Sequence, residues 1–171
     1  MPSSTDNEAM PHPTLTKILG KPTQRTLAIL RAQVLANTRA IHSDRGDGRL
    51  GHAYIVLGNV AYQEASHNNV AFILPVKPVP PVHALNATQD TMYRSDKTYD
   101  CQLAEWKRYN ETEATILQQI LSAVDDTYTK ALKDRLWGYG NSTPISIMHH
   151  LMTTYGKHHD DAGCVVLRQA R

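Results

Sequence analysis

Cysteine is scarce in this sequence, and its scarcity narrows the fold. Cys101 and Cys164 are the only two among 171 residues. They lie far apart and show none of the spacings that bind zinc, so neither a disulfide framework nor a structural metal is expected. Neither is needed, because a chain of this length buries roughly two thirds of the surface its unfolded form exposes. Long apolar runs are missing too. A membrane-spanning helix takes about 20 apolar residues, and the longest candidate, residues 70–82, is interrupted by Pro75, Pro78, Pro80 and Pro81. The N-terminal residues carry no apolar stretch behind a basic start, as a secretory signal would. The expectation is a cytoplasmic, reducing setting without membrane contact.

Catalytic signatures are equally thin. There is no Gly-x-Ser-x-Gly elbow and no His-Glu-x-x-His helix, and Cys101 has no histidine near it in sequence. Gly46-Asp47-Gly48-Arg49-Leu50-Gly51 matches the glycine spacing of a dinucleotide-binding turn. A helix precedes it where a strand is required, and no acidic residue follows about 20 positions later to hold a ribose. His149, His150, His158, His159, Asp160 and Asp161 are a second temptation. Adjacent residues on a helix point about 100° apart, whereas two ligands on one face need a separation of three or four, so no built metal site is expected. Asp125 and Asp126 read as partners of a helix dipole, not as an acid pair. No catalytic residue, cofactor or small-molecule substrate is expected.

Charge is unevenly distributed. Through Asn86 eight basic residues face five acidic ones, a balance of +3, while from Ala87 to Gly156 seven face nine, a balance of −2. Such halves favour head-to-tail association of copies. The basic residues are scattered, so RNA contact should be weak, sequence-independent and salt-sensitive, carried by Lys17, Lys21, Arg25, Arg31, Arg39, Arg45 and Arg49.

What the chain does have is helical periodicity. After Pro22-Thr23, the residues Leu27, Leu30, Val34, Leu35 and Ile41 predict an amphipathic helix ending before Asp44. Residues 50–62 form an apolar run that is read as helix. Residues 67–86 lose periodicity and collect prolines, which predicts an extended, polyproline-like connector between two halves. Beyond it Tyr99, Leu103, Trp106, Ile116, Leu117, Ile120, Leu121, Val124, Tyr128, Leu132 and Leu136 recur at helical steps. Ser122 and Asp125 have capping-box spacing, so a bend near Ala123 divides this stretch into two helices. Thr143 as N-cap and Pro144 as first residue open a last helix buried through Ile147 or Met148, Leu151 and Tyr155 and stopped by Gly156. The fold class is therefore all-α, a single helical bundle over 13–156 with disordered tails at 1–12 and 157–171. Leu27, Leu30 and Val34 should share its core with Leu117, Ile120, Leu121 and Leu151.

The order of these segments resembles a known family. His12-Pro13-Thr14-Leu15-Thr16-Lys17-Ile18-Leu19-Gly20-Lys21-Pro22-Thr23 is similar to the opening of Gag polypeptides of copia-type LTR retrotransposons. Gly51-His52-Ala53-Tyr54, the proline-rich connector, Leu117-Gln118-Gln119-Ile120-Leu121-Ser122-Ala123-Val124-Asp125-Asp126-Thr127-Tyr128, Gly138-Tyr139 and Thr143-Pro144 through Gly156 continue the likeness. The resemblance implies a capsid-lobe-like structural protein that self-associates into particles or oligomers around element RNA, with no catalytic role for any matched residue. The zinc knuckle that often follows in Gag is absent and the tail departs from the pattern, which implies an N-terminal fragment forming weak oligomers, not finished shells. The contact is expected on the last helix through His149, His150 and Met152, which cannot all face inward with Met148, Leu151 and Tyr155. A helical adaptor that stays monomeric is the alternative.

Overall fold

A computed structural model describes residues 10–157 of the chain. Four helices, α1 (Gln24–Ala40), α2 (Tyr54–Ala65), α3 (Gln89–Ala123) and α4 (Pro144–Tyr155), are joined by short 3-10 turns and extended segments, so the fold is all-α. Each well-marked start has a local cause. The Thr23 hydroxyl accepts from the Thr26 amide while Thr26 returns a bond to the Thr23 amide, and Thr143 and Ser146 do the same for α4, with Pro144 in the first turn. These reciprocal bonds satisfy amides that have no partner inside the helix.

The core runs through all four helices. Leu27, Leu30 and Val34 of α1, Ile55 of α2, Ile116 and Ile120 of α3, and Ile147 and Leu151 of α4 are almost wholly removed from solvent. Leu117 and Leu121 only pack partly against this cluster. The expected shared core is therefore present, but Ile116 and Ile120 fill the places closest to its centre. Among the buried polar residues one joins separate segments. Asn37, fully buried, accepts from the His12 amide and donates to the His12 carbonyl and to Gln119 Oε1. It ties the segment before α1 to both α1 and α3, and every polar atom it buries has a partner, as burial requires. Residues 10–12, expected to belong to a tail, are held instead: Met10 packs on the core and His12 is fixed by Asn37. Leu15 and Ile18 are buried behind it, and the Ile18 amide caps α3 by donating to the Ala123 carbonyl.

Several expectations change. The apolar run read as helix over 50–62 becomes α2 only from Tyr54, and Gly58 breaks it with φ 73°, a conformation open to glycine because it lacks Cβ. The bend near Ala123 is the end of α3, and only 3-10 turns follow before α4. Ser122 donates to the Gln118 carbonyl instead of capping, and Asp125 caps a 3-10 turn, Asp126–Tyr128, through the Thr127 amide. Leu136, expected to continue the buried stripe, is exposed beside Trp137 at a turn held by Asp134, whose carboxylate accepts from both of their amides. Gly156 ends α4 with φ −83°, outside the left-handed region.

The connector does not simply divide two halves. Its Phe72 is buried in the core, its Ile73 amide donates to the Arg45 carbonyl, and residues 70–84 form neither helix nor strand. From there the connector runs beside the first half of α3. No residue of α3 before Tyr109 is buried, so this half projects about 30 Å at 1.5 Å per residue. Its partners are connector and loop residues: Lys77 lies 5.4 Å from the Trp106 ring centre, His83 bonds Asp96, and Arg45 pairs with Glu105. Helix and connector together form an arm outside the bundle.

Candidate interaction surfaces

The glycine-rich loop 46–51 folds around its own carboxylate. Asp47 accepts from the amides of Arg49 and His67 and from the Arg49 guanidinium. Amides that could receive a phosphate are thereby occupied. Tyr62, fully buried, accepts from the Asp47 amide and donates to the Asp47 carbonyl, and Gly46 lies so close to that hydroxyl that a Cβ there would stand 2.5 Å from it. The glycine spacing therefore serves packing. Downstream, the His52 amide donates to the Thr38 carbonyl and His52 Nδ1 bonds the Ile41 carbonyl, so this buried histidine closes the C-terminal end of α1. Tyr54 stacks on Phe72 at 4.9 Å between ring centres, and Tyr62 and Tyr109 meet the same ring at 5.4 and 6.0 Å. The sequence marks Gly51-His52-Ala53-Tyr54 only through resemblance; its structural work is to cap α1 and to seat an aromatic cluster.

The electrostatics of this loop give a pH prediction. Hydrogen bonds from the Arg49 side chain, then from the His67 and Arg49 amides, hold the Asp47 carboxyl well below the usual range. Bonds to Thr127 lower Asp125, the Tyr139 hydroxyl lowers Asp126, and the Trp137 and Leu136 amides lower Asp134. Each contributes stability above the unfolded value of about 3.9 and loses it as pH falls through the lower folded value. Glu113, raised by burial, acts in the opposite sense, since protonation relieves its cost. With four groups against one, the melting temperature followed by circular dichroism should fall progressively below about pH 4. Asp47→Asn should flatten that fall; an unchanged slope in the variant would show that the loop carboxylate is not involved.

The cavities are modest in chemistry. One partly open space of about 70 Å³ lies among His42, Arg45, His52, Phe72, Glu105 and Tyr109, too small for the roughly 300–1,000 Å³ of a ligand site. An open groove of about 600 Å³ runs between Pro13, Leu15 and Lys17 and the α3 residues Thr115, Gln118 and Gln119. Gln119 there is already engaged by the Pro13 carbonyl and Asn37. Among the described residues no three His, Cys, Asp or Glu side chains gather to hold a metal ion, and no helix is long and apolar enough to cross a membrane. His158, His159, Asp160, Asp161 and Cys164 lie outside the described residues; Cys101 is exposed.

The residues expected to mediate self-association do not form one open face. His149 is exposed, but His150 is half-buried, with Nε2 bonded to the Tyr128 carbonyl and its ring edge-on to Tyr155. Met152 is half-buried and packs against the core. The segment after α3 folds over this flank of α4, which helical spacing alone does not reveal. Of the seven RNA-contact residues, Lys17, Lys21, Arg25, Arg31 and Arg39 are exposed. Arg45 is engaged by Glu105 and Arg49 by Asp47, so these two are poorer candidates than the sequence implies.

A different surface stands out. Ile73, Val76, Val79, Val82 and Leu85 of the connector are each at least 63% exposed. No family model, curated protein or solved structure matches this chain.

Proposed function

We propose that this protein is a structural, self-associating module of the Gag-like capsid class, acting in the cytoplasm on other copies of itself and on RNA, and that it is not an enzyme. The observation that carries the reading is the arm. Its connector exposes five aliphatic side chains in one row, where a monomer's exposed apolar residues are normally scattered singly, and exposed apolar rows of this kind mark protein contacts. The resemblance of the segment order to copia-type Gag supplies the class, and the exposed Lys17, Lys21, Arg25, Arg31 and Arg39 supply a diffuse attraction for phosphate. A monomeric adaptor is the second reading, favoured by the exposed Leu136 and Trp137 at their Asp134-held turn.

Electron microscopy and nuclease protection of the concentrated protein mixed with single-stranded RNA test the proposal. Open assemblies and partly protected RNA are expected. Binding should weaken with a log–log salt slope no steeper than roughly −3.5, from five contacts at about 0.7 each. Single particles of monomer size with fully digested RNA would overturn it in favour of the adaptor. So would tight binding to one RNA sequence that persists in high salt, in favour of a dedicated recognition module.

A further inference from the structure

The connector has a threefold repeat. Phe72, Pro75, Pro78 and Pro81 are the more buried residues between 72 and 81, while Ile73, Val76, Val79, Val82 and Leu85 point to solvent. Prolines at 75, 78, 80 and 81 fix φ near −65° at their own positions and push the residue before each into extended conformation. A polyproline II helix has three residues per turn and rises about 3.1 Å per residue. In that geometry Ile73, Val76, Val79 and Val82 form one ridge, spaced about 9 Å apart, and Leu85 closes it at the turn 85–86.

We propose that this ridge pairs with the ridge of a second copy, antiparallel, about a two-fold axis at Val79. The inference rests on the self-association reading above and names its contact. Three observations select a second copy. The ridge is symmetric in size about Val79: Ile73 meets Leu85, Val76 meets Val82, and Val79 meets its own equivalent, as an isologous contact requires. Its threefold spacing is constant, so the positions on either side of Val79 stay in register with those of the second copy. Lys77, the only Lys, Arg, Asp or Glu between 70 and 85, is drawn to Trp106, and Arg94 of α3, which lines the groove beside Val79, is paired with Asp90, so no unpaired like charges of these residues face across the axis. A partner that reads prolines in an aromatic groove fits less well, because Pro75, Pro78 and Pro81 are half-buried. The area is smaller than the about 800 Å² per partner of a standard interface, so the pairing is weak and reversible.

Disulfide trapping tests the axis. In full-length chain with Cys101 and Cys164 replaced by serine, Val79→Cys treated with diamide should give a covalent dimer at concentrations where the unmodified protein self-associates. Val60→Cys, on α2 and 69% exposed against 83% for Val79, should not. Independently, Val76→Asp with Val82→Asp should weaken association about tenfold or more, because unpaired carboxylates would be desolvated. Helicity and melting temperature should stay unchanged, since both positions face solvent. If the protein self-associates while Val79→Cys crosslinks no better than Val60→Cys and the aspartates have no effect, the ridge is not the contact although self-association stands. A monomer at every concentration would overturn both. A trapped dimer that never grows beyond two copies would support the ridge and contradict the particle reading.

Discussion

Replacing Gly51 by alanine is expected to destabilise the protein by on the order of 3 kcal/mol or more, at the upper end of what a strained backbone position costs. Gly51 has φ 49° and ψ −127°, and a Cβ there would stand 2.4 Å from the Ile41 carbonyl oxygen and 2.7 Å from that of Arg39. Those oxygens are backbone and cannot swing aside. Moving them would also disturb the His52 bonds to the Thr38 and Ile41 carbonyls. The aromatic cluster that follows would lose its anchor. Since a domain holds only about 5–15 kcal/mol in total, chemical denaturation should show the alanine variant with a much lower midpoint or largely unfolded. A loss under about 1 kcal/mol, the ordinary range for a point mutation, would show that the loop can open without cost.

Leu151→Ala should be comparably damaging, at about 2–5 kcal/mol, because the side chain is fully buried and its removal leaves a cavity in a core shared by α1, α2, α3 and α4. Leu121→Ala makes the informative comparison. Leu121 is only half-buried, so solvent or neighbours can fill the space, and its cost should be less than half that of Leu151→Ala. Denaturant midpoints at constant slope measure both. Equal losses at the two positions would mean that the core is centred on the other face of α3.

Whether a feature is legible in this sequence depends on how local its cause is. Thr23 and the Thr143-Pro144 pair announce α1 and α4 because capping involves residues three apart, and the stripes through Leu27, Leu30 and Val34 and through Ile147 and Leu151 need only helical geometry. Past Ala123 the same reasoning misleads. Tyr128 and Leu132 keep helical spacing, yet Asp125 and Asp134 bind the amides just after them and turn the chain instead. The candidate contact on α4 fails to form an open patch for a long-range reason, since His150 is claimed by the Tyr128 carbonyl. The connector lies between these cases. Its prolines predict extension, and an aliphatic residue at every third position is visible in the letters. Which face is outward becomes clear only with α3 alongside, its Trp106 and Asp96 holding Lys77 and His83.

The most direct test of self-association is the mass of the full chain by light scattering after size exclusion, measured over a concentration series in low and moderate salt. The account predicts a mass rising above 19.1 kDa with concentration. An apolar ridge is not screened as charge is, over about 8 Å at physiological ionic strength, so most of the rise should survive in moderate salt. A mass fixed at the monomer up to the solubility limit in both salts would contradict it.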